Sequence, residues 1–210
     1  MKSDKNSWNL GLLYRNEKDP QIEKDAQFIE KAFGNFEKKY KGKDFISSPK
    51  KLLPALNDFR ELEKVLNNHK PWWYFALRKD LNAQDEYAQA KATQYNQRLT
   101  MAANKIAFFR LKLGKIPESR QKEFLKNSRL AGYSYLLKIT FDKAKYNLTE
   151  EEEQLTGLLS QPGYTMWVSG QNKLLSSQTI KYKDKKLPIA EAVSILSEKP
   201  KKERYFIHQE

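Results

Sequence analysis

The side chains able to do chemistry are few and scattered. The 210-residue chain has two histidines and no cysteine. Without cysteine, disulfides, zinc ribbons and thiol catalysis are excluded. His69 and His208 are far apart, and neither lies in H-E-x-x-H. That motif needs both histidines on one helical face with a glutamate beside the metal-bound water. His69 stands at a predicted helix end before Lys70-Pro71, where an imidazole is expected against the last carbonyls. His208 reads as a surface residue. The glycines are isolated, so no phosphate-cradling loop is formed, and no serine sits in G-x-S-x-G. The carboxylate pairs Glu61 with Glu63 and Asp85 with Glu86 read as charged surface, because a catalytic pair needs burial. The acidic run Glu150 to Glu153 follows Thr149 as a capping box, so no metal is assigned to it. Trp72-Trp73-Tyr74-Phe75 could stack a ligand; the simpler reading is a helix-to-helix connection docked on a bundle. Lys105 and Arg110 are expected to face solvent. No catalytic, substrate-binding or metal-ligating residue is assigned.

The elements that would position any site are helical. Asp19-Pro20 is a start signal, with a capping aspartate and proline at the first helical position. Ile22, Ala26, Ile29, Phe33, Phe36 and Tyr40 then alternate steps of four and three, a core stripe of coiled-coil type. Ser48-Pro49 repeats the signal, and Leu52, Leu56, Phe59, Leu62 and Leu66 line a second helix ending near Asn67-Asn68. A short polar link joins the two as an αα-hairpin. The chain is organised around what comes next. From an N-cap at Asn82, a single helix is predicted to run unbroken to Leu113, roughly 45 Å long. Its stripe is Tyr87, Tyr95, Leu99, Ala102, Ile106, Phe109 and Leu113. Gly114 is placed as a left-handed terminator, with Pro117 beyond it.

Further on, a helix carries Phe124 and Leu125, and Gly132 is a candidate break. The run from Tyr133 to Ile139 is expected to be largely buried. Thr149 opens a helix that Gln161-Pro162-Gly163 ends, and Tyr164 to Leu175 forms another. Thr179 to Leu187 reads as a β-hairpin with a polar turn. Pro188 begins a helix through Ala192, Val193, Ile195 and Leu196, and Lys199-Pro200 begins one more. The predicted fold is therefore mainly all-α, an antiparallel bundle with one spine helix and one small hairpin. Two regions are expected, residues 1–147 and residues 148–210. The last helix has barely begun its apolar side at Tyr205, Phe206 and Ile207, so the chain is expected to be cut rather than finished.

Composition bounds the function. The hydrophobic fraction is 39%, charged residues make up 31%, and the formal net charge is +13. Periodic apolar residues, with four Trp, eleven Tyr and eleven Phe, argue against disorder. The basic balance favours loose contact with polyanions. The lysines are spread over the chain, though, and no recognition motif concentrates them. No specific nucleic-acid partner is expected, and no membrane partner, since no run approaches a membrane span. The N-terminus shows no apolar signal region, so a cytoplasmic location is expected.

A resemblance is carried by Lys70-Pro71-Trp72-Trp73-Tyr74-Phe75-Ala76-Leu77-Arg78-Lys79-Asp80-Leu81-Asn82 and by the run from Asn104 to Ile116. Both resemble the N-terminal part of oligoendopeptidase F-type metallopeptidases, relatives of the thimet oligopeptidases. Trp8-Asn9-Leu10 with Leu13-Tyr14, Tyr133-Ser134-Tyr135-Leu136, Leu148 to Glu153, Trp167, and Ile180 to Ile189 with Arg204 follow in the same order. No one of these motifs is specific; their collinear order carries the resemblance. It implies a non-catalytic helical wall over a deep cleft that admits short, unfolded peptides. It also implies that zinc, the H-E-x-x-H helix and a further glutamate lie in a C-terminal catalytic domain, which becomes the expected partner. No residue here corresponds to those ligands, so the chain alone is expected to be inactive and to carry no cofactor. The alternatives are a basic helical module for nucleic acid and a helical interaction scaffold.

Overall fold

A computed structural model describes residues 8–82, 85–182, 185–189, 192–194 and 200. Among them the fold is all-α apart from one two-stranded hairpin. The first two helices form as their caps dictate. α1 (Pro20–Tyr40) is opened by Asp19, whose carboxylate accepts from the Gln21 N–H. α2 (Pro49–Asn68) is opened by Ser48, which accepts from the Lys51 N–H. The two pack as a hairpin. All six stripe residues of α1 are buried, as are Leu52, Leu56, Phe59 and Leu62 of α2. The chain turns out of α1 at Gly42, whose φ of 74° is the one left-handed glycine among the described residues.

The predicted spine is two helices rather than one. The aromatic cluster is itself α3 (Pro71–Leu81), not a connection. Asn82 closes α3, donating its N–H to the Arg78 carbonyl, and does not open the next helix. The cap is Asp85, which accepts from the Ala88 N–H and begins α4 (Glu86–Asn104). A tight turn at Lys105-Ile106 then separates α4 from α5 (Ala107–Gly114). The break has a visible cause. The Asn104 carbonyl, which an unbroken helix would pair with the Phe108 N–H, accepts from Gln154 Nε2 at 3.4 Å. Asn104 Nδ2 in return donates to the Gln154 carbonyl at 3.3 Å. A contact 50 residues away in sequence thus replaces a local one.

Gly114 is not left-handed. It is the last residue of α5, and a Cβ there would lie 2.8 Å from Asn147 Nδ2 and 3.1 Å from Ala144 Cβ. It is glycine because another segment lies on it. α6 (Glu118–Lys126) buries Phe124, and a 3-10 turn at Ser128–Tyr133 leads into α7 (Ser134–Lys143). The run from Tyr133 is less buried than expected: Leu137 is buried, whereas Tyr135 is exposed.

Thr149 and Glu152 form the predicted capping box at α8 (Glu150–Ser160). Gln161-Pro162-Gly163 does not end the rod. A π-helical turn at Gln161–Thr165 carries it into α9 (Met166–Ser177), with the Met166 N–H reaching back to the Gln161 carbonyl. Proline lacks an N–H, and the wider turn accommodates its missing bond. The hairpin β1 (Thr179–Tyr182) and β2 (Lys185–Pro188) pairs antiparallel, Ile180 opposite Leu187. Ala192, Val193 and Ser194 are helical as predicted. The expectations for Ile195, Leu196, Lys199, Arg204 and the run from Tyr205 to His208 lie outside the described residues.

Two apolar cores hold the helices. The larger centres on Phe109, stacked between Phe45 and Phe59 at 5.1 and 4.9 Å, with Phe36 edge-on. The smaller joins Tyr14, Ile22, Tyr74, Phe75 and Tyr95, with Phe75 stacked on Tyr95 at 5.5 Å. α8 packs on α4 and α5.

Candidate functional site

Asp25 is, with Asp19, one of two buried carboxylates among the described residues. It sits at 6% exposure and accepts from Tyr14 Oη at 2.8 Å and Gln21 Nε2 at 2.6 Å, and His69 Nδ1 lies 3.0 Å from it. Tyr14 Oη in turn accepts from the Lys70 N–H at 3.1 Å. Burial first, and then the bond to Asp25, pushes the Tyr14 hydroxyl well above the usual phenol range. The cluster ties the N-terminal segment to α1 and to the α2–α3 joint. The His69 ring therefore lies beside a carboxylate, not against helix-end carbonyls as predicted, and 5.0 Å from the Phe28 ring. A histidine held by a carboxylate is half of several catalytic arrangements, but a nucleophile must accompany it. The Tyr14 hydroxyl already donates to the same carboxylate, so the cluster has no free group to react.

The other candidates are structural. Asp85 caps α4 and binds Arg78 at 2.7 Å, while Glu86 is exposed near Lys173. Glu61 pairs with Lys64, and Glu63 with Arg110 at the surface. Lys105 is exposed. In the aromatic run, Tyr74 and Phe75 are core residues, Trp72 is half-buried, and Trp73 is exposed at 48%. Tyr74 and Phe75 fill an interior and are not available as an open platform. No group of three or more His, Asp or Glu among the described residues would hold a metal.

A charged clamp fixes α4 against α1. Arg98 meets Glu23 at 2.7 and 2.9 Å and Glu30 at 2.6 and 3.1 Å. The bond from Arg98 holds the Glu23 carboxyl below its ordinary range. Burial, then the neighbouring Glu23 charge, pushes the Tyr95 hydroxyl up to about 12. No local pattern marks this clamp, because its partners are 75 and 68 residues apart.

Held in this way, α4 faces two different surfaces. α8 packs directly against it, but further along the rod a cleft of about 310 Å³ opens between α4 and α9, with polar walls. The outer side of the rod is apolar and uncovered: Leu155, Leu158, Leu159, Trp167, Leu174 and Leu175 are all exposed. Among the described residues, neither α8 nor α9 has a buried side chain.

No curated protein and no solved structure matches the chain. Residues 112–177 match the peptidase M3 N-terminal family, described as Oligopeptidase F. The matched span opens in the last turn of α5 and closes at the final residue of α9. The resembling run from Lys70 to Asn82 lies outside it. The match covers residues 112–177 alone and makes that segment similar to the N-terminal region of oligoendopeptidase F-type peptidases.

Proposed function

We propose that the chain is the non-catalytic helical part of a zinc-dependent oligoendopeptidase and forms a wall of its peptide-binding cleft. The observation that carries this reading is the family match, which spans the rod of α8 and α9 with its uncovered leucines and Trp167. An exposed apolar surface of this kind on a folded chain marks a protein contact. The occupant that fits is the catalytic part of the same enzyme, which would supply the zinc ligands and the general base of H-E-x-x-H. The described residues offer no ligand group for zinc, so no step is derived through the metal here. This chain would limit access to short, unfolded peptides. Among the described residues no helix is long and apolar enough to cross a membrane, which is compatible with a cytoplasmic enzyme. The test is the reading frame downstream of Glu210. An open frame reaching H-E-x-x-H is the expected result; a frame that continues without such a motif would contradict the proposal.

A further inference from the structure

The cleft between α4 and α9 has two opposed polar walls. The helices run in opposite directions, since Asn104 meets Gln154 at one end and Glu86 lies 3.4 Å from Lys173 at the other. On α4 the wall is made by Gln89, Thr93 and Asn96, and across the gap by Thr165, Ser169 and Asn172. Each trio is spaced by four and then three, which puts its members on one helical face. Among the described residues, the side chains of Thr93, Asn96, Thr165, Ser169 and Asn172 bond to no other residue. Their hydrogen-bonding capacity is turned toward the gap and is not consumed by the fold.

We propose that this cleft holds an extended polypeptide by its main chain. A peptide group presents one acceptor and one donor, and an asparagine or glutamine amide presents the complementary pair. Hydroxyls of threonine and serine serve either partner. Ala92 is the one apolar residue lining the cleft, so there is no pocket to select a side chain. No aromatic ring lines it on which a sugar face could stack. Lys173 pairs with Glu86, and the lining carries Asp80 as well as Lys79, which leaves little net charge for a phosphate backbone. The lined part of the rod is about 20 Å long at helical rise, the length of about six extended residues. The inference deepens the peptidase reading above and rests on it for the choice of polypeptide over other amide-bearing ligands.

The experiment is fluorescence anisotropy on the 210-residue chain, with a labelled, end-capped octapeptide of alanine and serine as the probe. Saturable binding is expected, changed less than about threefold by shuffling the sequence. Methylating alternate backbone nitrogens of the probe should weaken binding about tenfold. The double variant Asn96→Leu with Asn172→Leu should weaken it to a similar degree while helicity by circular dichroism is unchanged. Absence of saturable binding, indifference to both changes, or displacement by maltohexaose overturns the inference. A null titration would leave the downstream reading frame, and so the peptidase reading, where that separate test puts it.

Discussion

Asp25 shows how a single residue can be structural while having the look of a catalytic group. Two donors, Tyr14 Oη and Gln21 Nε2, converge on its buried carboxylate with His69 Nδ1 beside them, and both would be left without that acceptor in Asp25→Ala. Leaving such groups unpaired costs about 1–3 kcal/mol. That loss should appear as a lower urea midpoint, with Asp25→Asn, which keeps an acceptor, nearer the parent. Nothing in the sequence pairs Asp25 with His69. The residues are 44 positions apart, and the aspartate occupies an interior position of α1 that apolar periodicity does not mark. The ionisable side chains also set a pH profile. Arg15, Arg98 and Arg78 hold Asp19, Glu23 and Asp85, respectively, below their ordinary values of 3.8, 4.5 and 3.8. A depressed carboxylate stabilises the fold fully above its unfolded value and loses that contribution as pH falls through the folded one. The denaturant midpoint should therefore hold from pH 7 to about pH 5 and decline below pH 4. At the alkaline end the sign reverses for Tyr95, whose folded value is raised to about 12. Its contribution is complete below the ordinary value of 10.0 and is lost between there and about 12. A midpoint that is flat from pH 7 to pH 3 would contradict the ion-pair account.

At the scale of elements, what the sequence shows depends on where each signal comes from. Caps and stripes are local, so Asp19, Ser48 and Thr149 mark real helix starts, and the α1 stripe is buried throughout. The errors arise where a distant contact decides. Asn104 exchanges bonds with Gln154, which breaks a stripe that looked continuous. Gly114 faces Ala144 and Asn147, and its local position only resembles a helix terminator. The rod from α8 to α9 passes through Pro162 because a π-helical turn absorbs it, an outcome local propensity argues against. Two substitutions test this picture. Gly114→Ala should destabilise by about 1–3 kcal/mol through overpacking, although alanine is the better helix former. A stabilised variant would show that the approach of Ala144 is loose. Phe109→Ala removes a ring with 0% exposure and should cost about 3–5 kcal/mol. Ile106→Ala, at the half-buried break, should cost clearly less in the same unfolding titration.

For the whole molecule, charge and shape point in different directions. The net charge of +13 gives general attraction to polyanions. Such binding should be weak, without sequence preference, and should fall steeply between 50 and about 200 mM salt, as counterion release requires. Filter binding to two unrelated duplexes would check this, and strong discrimination between them at physiological salt would favour a nucleic-acid role. Shape points elsewhere: α4 has a polar cleft beside it, and the matched segment ends in a rod whose leucines and Trp167 lie open. A wall with one polar side and one apolar side fits a part that lines a peptide channel and docks on a second part. The most direct measurement is turnover of a quenched-fluorescent peptide. It should be made on the 210-residue chain and on the same chain extended in its natural reading frame. The account predicts no turnover by the chain alone and turnover abolished by a zinc chelator for the extended form. Chelator-sensitive cleavage by the 210 residues alone would contradict it.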